Sequence, residues 1–216
     1  MSWGVKSDGT TPRIVTSTLW EVRFPRLVIA LAVGAGLGCA GALLQGIFAN
    51  PLAEPSIIGV SSGGAVFASG LLAIASLAGV ERSYGFLKWG TALAAFIGAL
   101  LTTLLVYSLS RVQGKTVVVN LILVGVAINA MAGGFVTLFS FIGGTMAQSQ
   151  VVFWQLGSLA GAGWSSAVIT LIITVIGIVI ACLCAPKMDL LALGENQARH
   201  LGVNVERFRL CVIILV

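Results

Sequence analysis

Hydrophobic residues run in long unbroken stretches along this chain, and the charges fall between them. No charged side chain lies between Arg26 and Glu54, between Glu54 and Glu81, or between Lys88 and Arg111, and residues 116–186 carry none. An α-helix rises about 1.5 Å per residue, so about 20 apolar residues cross a bilayer core. The first three gaps each hold one crossing and the fourth holds two with a connector. This predicts helices near 27–48, 57–78, 89–110, 117–141 and 166–185. A further apolar run opens near Phe208 and reaches Val216 with too few residues to cross, as if the sequence stopped inside a helix. A transmembrane β-barrel would show segments of about 10 residues alternating in polarity. The predicted fold is an all-α polytopic transmembrane helix bundle.

The connectors have their own patterns. Asn50-Pro51-Leu52-Ala53-Glu54-Pro55 carries two prolines, each disfavouring helix at the residue before it, and reads as a break with a short extended turn. Between Phe141 and Ala167 lie five glycines and the run Trp154-Gln155-Leu156-Gly157-Ser158, too polar for a full crossing. Half-inserted or interfacial helix pieces fit there, with Trp154 and Trp164 at headgroup depth. Pro186 is expected to end the fifth span. Two short helices, about 187–193 and 195–201, fit around Gly194, with Gly202 as a left-handed cap. Leu190 and Leu193 would share one face, Ala198 and Leu201 another. A turn between spans needs only a few residues, so this polar hairpin reads as a docking surface for another protein. The start, Met1 to Glu21, is polar and reads as a loop or a cut end. The domain division is therefore 1–22, a polar segment; 23–185, the bundle; 186–204, a polar hairpin; and 205–216, the start of another helix.

Composition agrees with a membrane protein. Charged residues make up 9% and hydrophobic residues 58% of the 216 positions, against roughly 25% charged in soluble domains. The net charge is +5, but the basic residues flank spans, and nucleic acid is set aside as a partner. Lys and Arg divide evenly between alternate connectors, so the positive-inside rule gives no orientation. Small residues recur every fourth position at Ala30, Gly34, Gly38 and Ala42 and again at Gly90, Ala94 and Gly98, as close helix packing in lipid requires.

Chemistry is sparse. Gly114-Lys115-Thr116 lacks the earlier glycine of a phosphate-binding loop, since position 109 is Leu. His200 is the sole histidine, and the four cysteines lack metal-site spacing, so neither cofactor nor metal is expected. The spans hold amides and hydroxyls instead: Gln45, Asn120, Asn129, Thr137 and Ser140. Such a lining suits a large ligand wrapped in its own chelator.

Arg23-Phe24-Pro25-Arg26, Gly41-Ala42-Leu43-Leu44-Gln45 and the Asn50 to Pro55 connector resemble the FecCD-type permeases. These are membrane subunits of ATP-driven importers for iron-siderophores, haem and cobalamin. Ile58-Gly59-Val60-Ser61-Ser62-Gly63-Gly64 continues the match, with Gly64 where the family usually has Ala. Trp154 to Leu159, Leu191 to Glu195 and Ala198 to Val203 extend it.

The resemblance implies ten helices per subunit and two subunits around one path, so this chain would hold the second to sixth helices, with residues 1–22 extracytoplasmic and the 186–204 hairpin cytoplasmic. It implies a permease subunit, not an enzyme, moving an iron chelate (siderophore or haem) across the bacterial cytoplasmic membrane. A separate ABC ATPase would supply energy, and an extracytoplasmic binding protein and a second permease subunit would be partners. The alternative is an ATP-independent secondary transporter or channel. By the same comparison, Arg23 and Arg26 would meet carboxylates of the binding protein. Leu191, Ala192, Leu193, Gly194, Glu195, Ala198, Arg199 and Leu201 would contact the ATPase. Gln45, Val117, Val118, Asn120 and Asn129 are the candidates for the path and its cytoplasmic gate.

Overall fold

The computed structural model describes residues 17–79 and 84–216. The polar start as far as residue 16 and loop positions 80–83 lie outside the described residues. Among the described residues, five helices are long and apolar enough to cross a membrane. They are α1 (Leu19–Phe48), α2 (Val60–Leu77), α3 (Tyr84–Leu109), α4 (Val118–Ile142) and α6 (Trp164–Ala192). A two-stranded hairpin, β1 (Arg111–Val112) and β2 (Lys115–Thr116), joins α3 to α4. Three shorter helices are α5 (Gly144–Leu156), α7 (Glu195–His200) and α8 (Val205–Leu215).

Two ends differ from the expectation. Ser17 and Thr18 are already helical, within the stretch expected to be loop, and Leu19–Arg23 forms a π-turn in which Phe24 N–H donates to Leu19 O. That turn lies directly ahead of Pro25, which has no N–H for the carbonyl four residues back, so the wider turn absorbs the missing bond. At the other end α6 runs through Pro186 to Ala192, so the proline does not stop the fifth span. A helix buried in lipid keeps its remaining backbone bonds because water offers none in exchange. The first of the two expected short helices is thus the end of α6; the second is α7.

The chain divides into two compact units, and α1 and α6 contribute to both. One unit comprises residues up to Cys39 with Ser158–Cys184. There Gly36 faces Thr174, whose methyl would stand 3.6 Å from an added Cβ, while Gly34 and Gly38 face nothing within 4 Å. The first small-residue row therefore makes no close helix contact among the described residues. Trp164 donates its indole N–H to Trp20 O at 2.9 Å, and the two rings lie 5.4 Å apart.

The other unit holds Ala40–Gly157 and Ala185–Val216. Its most extensive packing is α2 on α3, where the backbones touch: a Cβ on Gly63 would strike Gly98 O and Thr102, and one on Gly98 would strike Gly63 O and Phe67. The second small-residue row thus does pack as its spacing predicts. α2 also packs on α4 and α5. Gly125 of α4 leaves room for the Ile57 carbonyl, which seats the connector before α2 against that helix. Gln113 and Gly114 both have positive φ, +51° and +80°, the two-residue turn that the twist of a tight hairpin requires.

Candidate functional site

Within the larger unit, three connectors meet at one end: residues 49–59, the β-hairpin and the segment from Lys187 to α8. The first is built from turns. Leu52 N–H donates to Asn50 Oδ1 at 2.9 Å, Ala53 N–H to Asn50 O at 3.1 Å, and the Ser56 hydroxyl to Glu54. The third begins as α6 leaves its apolar stretch, with Met188 against Gly46 and the Lys187 ammonium 5.9 Å from the centre of the Phe208 ring. Gly194, at φ +116°, breaks the helix, and α7 ends in a Schellman motif. There Val203 N–H donates to Ala198 O and Gly202 N–H to Arg199 O, with Gly202 at φ +87°. This cap is the one its spacing predicts. Asn204 then caps α8 by accepting from Arg207 N–H at 3.1 Å.

An ion-pair cluster ties these connectors together. Glu195 Oε1 accepts from Arg199 at 2.7 Å and Glu195 Oε2 from Arg209 at 3.1 Å. Arg209, only 6% exposed, also lies 3.5 Å from Glu206 and donates to Ile47 O at 3.4 Å. The Glu206 carboxylate accepts from Thr116 N–H at 3.2 Å and from its hydroxyl at 2.7 Å. Burial pushes the Glu195 carboxyl up, but the Arg199 hydrogen bond and the Arg209 charge outweigh it and hold the group below the usual carboxylate range.

Deeper in the same unit, α2, α4 and α5 enclose a cleft of about 520 Å³. Its polar lining is Ser62, Asn129, Thr137, Ser140, Gln148 and Gln155, and among the described residues no charged side chain lines it. Asn129 is fixed at both ends: Oδ1 accepts from the Ser62 hydroxyl at 2.6 Å, and Nδ2 donates to Ser56 O at 3.0 Å. Thr137 and Ser140 donate their hydroxyl protons to Gly133 O and Val136 O of their own helix, so they offer the cleft lone pairs.

In the smaller unit Arg23 is exposed, whereas Arg26 is half-buried and donates Nη2 to Ala160 O at 2.9 Å. Its buried Nε has no hydrogen-bond partner among the described residues.

A profile of the FecCD transport family matches residues 5–216. The chain belongs to the FecCD transport family. It is 33% identical over 199 residues to the hemin transport system permease HmuU of Yersinia pestis, covering 91% of this chain and 58% of that protein. It is 36% identical over 197 residues to a cobalamin import permease, BtuC, of Halobacterium salinarum, covering 91% and 50%. A solved inward-facing structure of a transporter assigned to the metal-chelate ABC type superposes with a TM-score of 0.79 at 30% identity, over 99% of this chain and 64% of that one. The chain thus spans 50–58% of the length of these two relatives. Like the family, it is a multi-pass protein of the cytoplasmic membrane, with a FecCD-type helical fold.

For this FecCD member, the expected site residues fall in different places. Asn129 lines the cleft; Gln45, Val117, Val118 and Asn120 do not. Gln45 is exposed near the end of α1, Val117 precedes α4 and accepts Leu121 N–H, and Val118 and Asn120 are half-buried in the first turn. Val118 lines a small crevice with Asn50, Ala53 and Ile58, so it meets the connector instead. Of the eight expected ATPase contacts, Leu191 and Ala198 are buried within the chain, at 8% and 0% exposure. Ala198 and Leu201 therefore do not form one outward face: tight closure of the hairpin turns Ala198 inward. Ala192, Leu193, Gly194, Arg199 and Leu201 are exposed and Glu195 is half-exposed. Arg209, Glu206 and Thr116 escape a reading by motif, because their importance lies in contacts spanning about 90 residues or more. A charged residue inside the apolar run after Asn204 was the available signal.

Proposed function

We propose that the chain is the permease part of an ATP-driven importer that moves a metal chelate, specifically an iron chelate such as haem or a siderophore complex. Residues 187–204 form its cytoplasmic coupling hairpin. The observation that carries this reading is the outer face of that hairpin. Leu193 and Leu201, each 61% exposed, and exposed Arg199 lie past the fifth candidate span, on a turn capped at Gly202. Apolar side chains in a polar connector fit a protein partner, and family membership supports an ATPase in that role. Leu191 and Ala198 support the hairpin from within.

The uncharged cleft supports the cargo class. Amides and hydroxyls can hydrogen-bond the periphery of a chelate, but they give no counter-charge to a bare ion, so the metal would enter with its charge already met by its ligand. The hemin relative and the metal-chelate transporter structure support an iron chelate. Arg23 takes the docking role for the binding protein, where complementary charge sets orientation and encounter rate more than affinity; Arg26 braces the segment around Ala160.

The test is uptake into proteoliposomes holding the complete transporter, its ATPase and its binding protein. Hemin, a ferric hydroxamate and cyanocobalamin are supplied in turn. ATP-dependent uptake of an iron chelate is expected. Uptake that persists without the ATPase would establish a secondary transporter instead, and preference for cyanocobalamin would remove the iron assignment.

A further inference from the structure

We infer that Arg209 is a positioning residue, the joint through which movement of α7 reaches the ends of α1 and α4. This rests on the proposed docking of α7 by an ATPase. Two hydrogen-bond acceptors and one further carboxylate converge on this one buried guanidinium, and they belong to different elements. Glu195 opens α7, at 3.1 Å; Ile47 O lies in the last turn of α1, at 3.4 Å; Glu206 is on α8 itself, at 3.5 Å. Glu206 extends the chain to Thr116, two residues before α4 begins, through both its backbone N–H and its hydroxyl. The Tyr107 hydroxyl adds a bond from α3 to Glu206 O at 3.4 Å.

Each contact has a local reason. The last four carbonyls of a helix have no intrahelical donor. At the end of α1, Gln45 O and Gly46 O are met by the turn residues Asn50 and Ala49, and Ile47 O is met by Arg209. A guanidinium presents a fixed fork of donors and never loses its charge, so it can serve three partners at once, which an ammonium on a flexible stem does poorly. Stability alone does not call for this arrangement. Buried ion pairs are often matched or exceeded by well-packed apolar side chains of similar volume. What an apolar contact lacks is fixed register: it slides, whereas a hydrogen-bonded charge holds α7 to α1 and α8 at defined points as they move. Glu195 keeps Arg199 as a second partner at 2.7 Å, so α7 stays folded while the Arg209 contact is loaded.

The joint is placed where it matters for the proposed transport. Ile47 lies three residues before the Asn50 to Pro55 connector, and Thr116 immediately before the Val117–Asn120 segment. These are the two inner-end segments that α7 must displace if nucleotide-driven movement is to open the path.

The experiment uses the complete transporter in proteoliposomes, with the four native cysteines (Cys39, Cys182, Cys184 and Cys211) replaced by alanine and a spin label at exposed Asn196→Cys. Immobilisation of the label on adding the ATPase reports docking; cargo moved per ATP hydrolysed reports coupling. Arg209→Met should keep the immobilisation and lose about tenfold or more in cargo per ATP, and Arg209→Lys should recover only part of it. Retained immobilisation with unchanged cargo per ATP in Arg209→Met overturns the joint and leaves the docking reading standing. Should Arg209→Met fail to assemble, Arg209→Lys decides by the same ratio. Immobilisation lost only in the variants overturns it as well, since Arg209 would then merely hold α7 in shape. A label that never responds in the parent removes the docking reading, and the joint with it.

Discussion

Asn129 and Ser62 are joined across two helices by a 2.6 Å hydrogen bond between the amide oxygen and the hydroxyl. The same asparagine donates to Ser56 O, so one side chain pins the connector before α2 to α4 at the mouth of the cleft. An amide that spends one donor and one acceptor on the protein keeps one of each for a ligand. Asn129→Leu should therefore remove a cleft contact and leave Ser56 O without its partner. A loss of about 1–3 kcal/mol is expected, read as a lower midpoint of thermal unfolding in detergent. Asn129→Gln, which keeps the chemistry but shifts it by a methylene, should lose less. Equal midpoints for Asn129→Leu and the parent would remove the pin.

The glycines of the two units should respond in opposite ways to one methyl group. At Gly125 a Cβ would strike the Ile57 carbonyl, and backbone must move to admit it; at Gly34 a Cβ meets nothing within 4 Å. Gly125→Ala should cost about 1–3 kcal/mol through overpacking. Gly34→Ala should be neutral or slightly stabilising, because alanine is the better helix former by about 1 kcal/mol. Thermal melting of both variants in detergent checks this, and a Gly34→Ala melting as low as Gly125→Ala would contradict the open surroundings of Gly34.

Under the proposed docking role, the two arginines near the start of α1 should respond differently, because they differ in exposure. Arg23 is free to meet carboxylates of a binding protein, while Arg26 is tied to Ala160 O. Arg23→Glu should abolish stimulation of ATP hydrolysis by the binding protein in the complete transporter. Arg26→Gln should leave most of that stimulation while lowering the melting temperature. The reverse ranking would return the docking role to Arg26.

Which of these features can be read before folding follows from the range of the interaction. The five spans are legible because a charge in lipid is costly wherever it sits, so gaps such as 116–186 mark crossings without knowledge of neighbours. The cap at Gly202 is equally local, a left-handed residue after a short amphipathic turn. Pro186 misleads because its effect depends on surroundings: in water it stops a helix, and at the end of a lipid-buried one it is carried through to Ala192. The small-residue row at Gly34 and Gly38 has the same spacing as the row ending at Gly98, and only contact geometry tells which is used. Asn129 stands out as an amide inside a span, whereas Gln148 and Gln155 join it only because α5 folds back beside α4. The Arg209 cluster belongs wholly to the fold.

The acid response of the hairpin follows from the Glu195 carboxylate. Its pKa in the folded protein lies below the ordinary value: burial opposes ionisation, but the Arg199 bond and the Arg209 charge together favour it more. A carboxyl that is more acidic when folded stabilises the fold fully above its unfolded pKa, about 4.3. That contribution declines as pH falls through the folded value. The Glu195–Arg199 pair is more than a third exposed on both sides and contributes roughly 0.3–0.5 kcal/mol. Most of the acid sensitivity should therefore come through the contact with buried Arg209. Hydrogen exchange of residues 195–203 should be flat, after correction for intrinsic rates, from neutral pH down to about 4.3, and protection should fall only below it. Glu195→Gln should remove the step, and Arg199→Ala should leave it smaller and move it to higher pH. Protection that already falls near pH 6 would mean that a group other than Glu195 governs the response.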